Sequence, residues 1–438
     1  MAPDILPCPR QTLPLPILRR RLSPLSPRQQ EMKILLPYSK SLLLRQLALD
    51  YSSGVISAEI DPERSCRDVE ELRQALLTLR MEKNPSIHIE EGGAPLRFLL
   101  ALASWTPGRK VSITVGERLS RRPVAGLTDV LRRSGAEIVF DEQTRRYTIF
   151  GTERKTEELH IDATASSQFV SALMLAAPLA PLPIRLVSRD GCWRVSRPYI
   201  AMTAEVMRQR GWKVRMEEGI VEIGERDGEE RNSARMEADW SAAAFICGMF
   251  HVARRRGWNP PAPELPDLLT ADSLQGDSRF PLLLAQEGNE YDLRSAPDLA
   301  MPLCSTLLML RRPFRLTGLE TLPSKESDRL EAMRRGFLLF GYSLEIVGKG
   351  ELRWNGQNTK TRTPGRICVP TAGDHRIALA MKMMELDGWD VELDDPGCVA
   401  KSWPGGAREL SRYAALLKRE IPGTTEESHN QKDIKDCV

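Results

Sequence analysis

Ser39-Lys40-Ser41, with Arg45 one helical turn further on, is the stretch of this chain best suited to chemistry. An apolar run, Ile34 to Leu36, ends at Pro37, and a helical pattern begins just after it. A strand-to-helix junction presents free backbone N–H groups and the positive end of the helix dipole, which together outline an anion site. Lys40 adds a point charge, Ser41 a hydroxyl and Arg45 a planar fork on the same face. A capped surface helix with solvated charges would contain the same residues, so the cluster alone decides nothing. Recurrence decides. Arg97, Arg122, Ser166-Ser167-Gln168, Lys325 to Arg329, Asp374-His375-Arg376 and Lys401 each stand at or near the edge of a regular segment. So many cationic and hydroxyl groups, spread along the whole chain, imply convergence on one polyanionic site.

The elements that must position them follow a repeated pattern in which an amphipathic helix ends in Gly and a short alternating strand follows. Val124 to Arg133 leads through Gly135 to residues 136–140, and Ile200 to Arg210 through Gly211 to 212–214. Arg279 to Gln286 leads through Gly288 to Tyr291-Asp292-Leu293, and Leu330 to Phe340 through Gly341 to 343–346. Gly after a helix supplies a left-handed residue that ends it. The first three units recur at a spacing of about 76 residues, as internal repeats do. A helix-plus-strand module implies an α/β architecture.

The chain has 438 residues, beyond the usual single-core limit, so two domains are expected. The polar run Glu225 to Asn232 places their boundary between Glu218 and Asp239. With 62 basic and 59 acidic residues the net charge is +3, without the clustered excess of a nucleic-acid binder. The 8 cysteines form no close Cys-x-x-Cys pair and the 5 histidines show no ligand spacing. Neither a disulfide framework nor a metal site is expected, and a reducing cytoplasm fits. Phe169 to Pro178, the longest apolar run, is too short to span a membrane. Residues 1–21 read as a disordered extension and 424–438 as a disordered tail.

In chain order, several segments resemble those of the 5-enolpyruvylshikimate-3-phosphate (EPSP) synthase family, 3-phosphoshikimate 1-carboxyvinyltransferases. Pro37 to Arg45 is similar to the family's Pro-Gly-Ser-Lys-Ser followed by Arg, with Tyr38 in place of Gly. Arg122-Pro123 matches part of Glu-Arg-Pro, and Ser166 to Phe169 matches Ser-Ser-Gln-Phe. Ser196-Arg197-Pro198-Tyr199 resembles Ser-Lys-Pro-Tyr, and Pro297 to Ala300 resembles Pro-Asp-x-Ala. Lys325 to Arg329, Asp374 to Arg376 and Cys398 to Pro404 complete the series. The resemblance spans roughly Leu22 to Pro404. It implies two similar domains, each of three βαβαββ repeats, with the ligand cleft between them. Residues 22–37 and 239–423 would form one domain and 38–238 the other, the chain crossing near Pro37 and near Asp239.

The resemblance also implies the chemistry. The enolpyruvyl group of phosphoenolpyruvate would pass to the 5-hydroxyl of shikimate 3-phosphate, with phosphate released and no cofactor, by a monomeric cytoplasmic enzyme. Such a step needs a base, acids and dense positive charge. Lys40, Asp298 and Glu326 are the catalytic candidates. Lys40 would have its pKa lowered among other cations. Asp298 would orient and deprotonate the 5-hydroxyl, and Glu326 would give a proton to the methylene carbon and take one back. Shikimate 3-phosphate would meet Lys40, Ser41, Arg45, Ser166, Ser167, Gln168, Ser196, Tyr199, Asp298 and Lys325. Phosphoenolpyruvate would meet Lys40, Gly93, Arg97, Arg122, Gln168, Arg329, Arg376 and Lys401. His375 would order its loop.

Where the family carries Gly-Asn-Ala-Gly-Thr-Ala-x-Arg, this chain reads Glu90 to Arg97, with Glu91 for Asn and Ala94 for Thr. A carboxylate there should weaken anion binding unless it pairs with a Lys or Arg. Thr321 is a further departure. Two alternatives stand beside the main reading: enolpyruvyl transfer to UDP-N-acetylglucosamine, and a non-catalytic binding protein on the same fold. Against the first, Ser41 follows Lys40 where that related family carries Asn, and 118–126 contains no Cys.

Overall fold

The computed structural model describes residues 30–422 apart from 56–58, 165, 181, 194–195, 228–235, 270–271 and 358–362. The expected terminal extension and tail, and most of the polar run Glu225 to Asn232, lie outside the described residues.

Apolar side chains gather into two cores. In one, Met32, Ile34 and Leu36 pack with residues between Ala238 and Leu417; the other is built from residues between Leu42 and Ile223. The first body is therefore assembled from two separated stretches of chain, and the second is continuous. The chain passes between them twice, and the two passages are bonded to each other. Asp239 N–H donates to the Pro37 carbonyl at 2.9 Å, and Ser39 N–H donates to the Glu237 carbonyl at 2.8 Å. Tyr38 and Ala238 form an antiparallel bridge between these bonds. Tyr38, standing where the resembling family has Gly, puts its ring under Arg64, 3.8 Å from the guanidinium carbon. Arg64 in turn donates to Leu36 O at 3.0 Å and pairs with Asp267 at 2.6 Å.

Three four-stranded sheets share one strand order. In the first, β1 (Ser86–Ile89) runs parallel to β2 (Lys110–Val115), and β2 pairs antiparallel with β4 (Arg146–Phe150). Next to β4 lies β3 (Glu137–Asp141), also antiparallel. The second sheet repeats this with β5 (Glu158–Ile161), β6 (Ile184–Ser188), β8 (Ile220–Arg226) and β7 (Trp212–Glu217). The third uses β9 (Glu290–Asp292), β10 (Phe314–Thr317), β12 (Glu351–Trp354) and β11 (Glu345–Val347). A parallel pair, β13 (Arg366–Val369) and β14 (Asp390–Leu393), shows the opening half of the same unit.

This topology corrects one equivalence read from the sequence. The helices Ala125–Arg133, Arg197–Gln209 and Arg329–Leu339 lead into β3, β7 and β11, the corresponding strands of the three sheets. The segment from Arg279 to Leu293 leads into β9, which opens its sheet and pairs parallel with β10. A helix, a Gly and a short strand recur at both points of the unit, so the spacing alone could not separate them. The Gly residues do end their helices in left-handed conformation, with φ of 106° at Gly135 and 82° at Gly211.

The sheets enclose largely apolar helices buried on nearly every side. In Gly93–Ser104 every residue except Ala94 is buried, and in Gln168–Ala176 every residue except Gln168. The exceptions stand at the helix N-termini, where the two cores face each other.

Candidate active site

A cavity between the two bodies is lined by Lys40, Ser41, Arg45, Gly93, Arg97, Arg122, Ser166, Ser167, Gln168, Ser196 and Tyr199 from the second body. Asp298, Lys325, Glu326, Arg329 and Arg376 line it from the first. Every candidate read from the sequence is thus at one place except Lys401, which lies just behind the lining with Nζ 3.5 Å from Glu326 Oε1. The cavity measures about 90 Å³, small beside the roughly 300–1,000 Å³ of ordinary ligand pockets. A larger hollow of about 710 Å³ lies over β6 to β8, but the converging charges are in the smaller one.

Three helices of the second body direct their N-termini at it: Lys40–Ser52, Gly93–Ser104 and Gln168–Ala176. None of their N-cap residues, Ser39, Gly92 and Ser167, closes the helix end with its own side chain. Backbone donors and helix dipoles thus add to the side-chain charge. Ser196 begins the helix Arg197–Gln209 with φ of 50°, a left-handed conformation that costs a non-glycine residue about 1 kcal/mol. Gly93 is required by its neighbours, since a Cβ there would lie 2.7 Å from Arg122 Cζ and 2.8 Å from Arg97 Nη1.

Several expected ligands are already engaged. Arg45 donates to Ser41 O at 2.7 Å, Thr203 Oγ1 at 2.8 Å and Tyr199 O at 3.3 Å, so it fixes the two residues beside it. Arg97 donates to Gln168 Oε1 at 2.6 Å and to Pro123 O at 2.9 Å. Burial, with Arg122 beside it, pushes its pKa down to about 9, which leaves the guanidinium charged. Arg329 is held by three carboxylates: Asp374 at 2.7 Å, Asp298 at 2.8 Å and Glu326 at 2.7 Å.

The electrostatics overturn one expectation. Lys40 does not have its pKa lowered. Burial presses it down, but Asp68, 3.0 Å away, with Cys66 and Glu326, outweighs burial and raises it above the ordinary value. Lys325 is the lysine whose pKa falls, through burial, against the pull of Asp298 and with Arg329 adding to the fall. Burial opposes ionisation of Asp298, yet Lys325, Arg376 and Arg329 hold it far below the carboxylate range. Glu326 is held low in the same way by Arg329, Lys401 and Arg122. His375 is fully buried beside Lys40 and Arg376, so burial and neighbouring charge keep it neutral.

Glu91 faces cations, with Oε2 3.7 Å from Lys401 Nζ and Oε1 4.0 Å from Arg118 Nη1. Two acids beside the site escaped the sequence reading. Asp68, the partner of Lys40, stands in the first turn of the helix Arg67–Met81, where an acid is ordinary for the helix dipole. Asp277 is buried, accepts a hydrogen bond from Ser241 Oγ, and Ser241 accepts one from Arg376 at 3.1 Å. Nothing in the local sequence separates either from a surface acid. Among the described residues no group of three His, Cys, Asp or Glu is placed to hold a metal ion, and no helix is long and apolar enough to cross a membrane.

Comparison with known proteins first defines a class. The fold is that of enolpyruvyl transferases: EPSP synthase from Acinetobacter baumannii superposes with a TM-score of 0.55 at 17% identity, over 89% of this chain and 95% of that one. The enolpyruvyl transferase NikO from Streptomyces tendae superposes with a TM-score of 0.53 at 13% identity, over 88% and 94%. The family model for EPSP synthase (3-phosphoshikimate 1-carboxyvinyltransferase) matches residues 54–254 and 273–410, and this chain belongs to that family. A 3-phosphoshikimate 1-carboxyvinyltransferase of Bacteroides fragilis (strain YCH46) is 31% identical over 423 residues, covering 90% of this chain and 98% of the relative. One from Methanospirillum hungatei is 28% identical over 356 residues, covering 74% and 78%.

Proposed function

We propose that this protein transfers the enolpyruvyl group of phosphoenolpyruvate to the 5-hydroxyl of shikimate 3-phosphate and releases phosphate. The observation that carries the reading is one cavity in which seven cationic side chains, three of them from the first body and four from the second, surround Asp298 and Glu326. Two anionic substrates need such charge, and proton transfers at oxygen and carbon need the carboxylates.

The hydroxyls of Ser166, Ser167 and Ser196, with Gln168 and Lys40, suit the phosphate of shikimate 3-phosphate. Ser41, Arg45, Tyr199 and Lys325 border its ring, and Asp298 accepts the 5-hydroxyl proton. Arg122, Arg376, Lys401 and the Gly93 backbone suit phosphoenolpyruvate, with Arg97 and Arg329 behind them. As the 5-oxygen bonds to the enol carbon, Glu326 gives a proton to the methylene carbon. It takes one back as the carbon–oxygen bond to phosphate breaks. Glu326 is held ionised by Arg329, Lys401 and Arg122. Substrate anions draw those cations to themselves, which raises its proton affinity when a proton donor is needed. Lys40 stays charged beside Asp68 and serves as donor and counter-charge to the departing phosphate.

The paired crossings and two cores support a domain division into 22–37 with 239–423, and 38–238. The enzyme is read as a cytoplasmic monomer. Phosphate release with phosphoenolpyruvate and shikimate 3-phosphate tests the function. Release only with UDP-N-acetylglucosamine, or with neither acceptor, would refute it.

A further inference from the structure

Glu91 joins the two walls of the cavity. Its Oε2 lies 3.7 Å from Lys401 Nζ, and its backbone carbonyl accepts a hydrogen bond from the same ammonium at 3.1 Å. Its Oε1 lies 4.0 Å from Arg118 Nη1, and that nitrogen donates to the Ala372 carbonyl at 3.2 Å. Lys401 and Ala372 belong to the first body, Glu91 and Arg118 to the second. Gly373, with φ of 66°, leaves the room that the Arg118 guanidinium fills; a Cβ there would overlap it. Lys401 is itself shared, since its Nζ is 3.5 Å from Glu326 Oε1. One ammonium therefore stands between the reacting carboxylate and a carboxylate with no part in the proposed reaction.

We infer that Glu91 sets which anions the site admits, acting as a built-in counter-anion that a carboxylate or phosphate ligand must displace from Lys401. Arg118 moderates it. By taking one oxygen of Glu91 and fastening to Ala372, Arg118 weakens the hold of Glu91 on Lys401. The two residues consequently affect anion binding in opposite directions. The inference rests on the proposed reaction only for the choice of substrate; the anion-binding part stands without it.

The test measures inorganic phosphate binding by calorimetry, at low and at high salt, for the whole protein and for Glu91→Gln and Arg118→Ala. Glu91→Gln should bind phosphate about fivefold more tightly and Arg118→Ala more weakly, both differences shrinking at high salt. In steady state, Glu91→Gln should lower KM for phosphoenolpyruvate by a similar factor with little change in kcat. Weaker or unchanged phosphate binding by Glu91→Gln, with its thermal transition as in the parent, overturns the inference. So does a shift of both variants in the same direction. Absence of turnover by the parent protein would refute the proposed reaction instead, and the phosphate titrations would still decide the role of Glu91.

Discussion

Lys40 and Asp68 form an ion pair, 3.0 Å long and nearly withdrawn from solvent. Removing one partner of a buried pair strands the other charge, at a cost of about 3 kcal/mol or more. Lys40→Met should therefore abolish phosphate release and also lower the melting temperature. Adding Asp68→Asn should restore the melting temperature and leave turnover absent; recovery of turnover in the double variant would refute a chemical role for Lys40. Asp277 supplies a second prediction. Burial, against Arg376 and with Asp298 adding to it, pushes its pKa up from 3.8 to about 6. A carboxyl raised on folding contributes stability below its unfolded value and loses it as pH rises through the folded one. Between about pH 4 and 6 the protein should thus lose about 2 kcal/mol relative to Asp277→Asn. Denaturant titrations of both at pH 4.5 and pH 8 check this; an unchanged difference would place the titration elsewhere. The identities of the cationic and hydroxyl residues were legible in the chain because they stand in ordered motifs. Their ionisation was not, because it depends on Asp68 beside Lys40 and Asp277 near Arg376, acids that come from distant segments.

Helix ends do the positioning at the next scale. Lys40, Gly93 and Gln168 each open a helix whose remaining residues are almost all buried. Packing of the apolar bodies therefore fixes where the N-termini point. Gly93→Ala keeps the helix and its buried face but sets a methyl group against the Arg122 and Arg97 guanidiniums. It should raise KM for phosphoenolpyruvate about ten- to a hundredfold while the circular dichroism spectrum is retained. An unchanged KM would mean that Arg122 takes up its place without regard to residue 93. Strand and helix types were legible because Gly after a basic or amphipathic helix, followed by alternation, has one physical reading. Which position in the repeat a unit occupied was not legible, since β9 and β11 are both three residues long and only their pairing tells them apart.

Across the whole molecule, ion pairs tie the bodies. Arg122 lies 3.7 Å from Glu326, Lys401 3.7 Å from Glu91, and Arg64 2.6 Å from Asp267. Cations stand on both walls of the cavity, and carboxylates of the chain itself already bridge them. Partly exposed pairs weaken as salt screens them. The radius of gyration from small-angle scattering should rise from low salt to about 1 M salt, and fall again when both substrates are added. Equal radii in all three conditions would rule out a cleft held by charge.

The discontinuity of the first body bears on how the chain is made. Residues between Leu42 and Ile223 hold a complete core, which can close while the rest of the chain is still on the ribosome. Met32, Ile34 and Leu36 precede that core and belong to the other one, which reaches as far as Tyr413 and Leu417 in the last described helix. They stay without their core until the stretch from Ala238 onward has been made. The segment with Met32, Ile34 and Leu36 is thus made before the core it joins, and it is where aggregation or a chaperone would compete with folding.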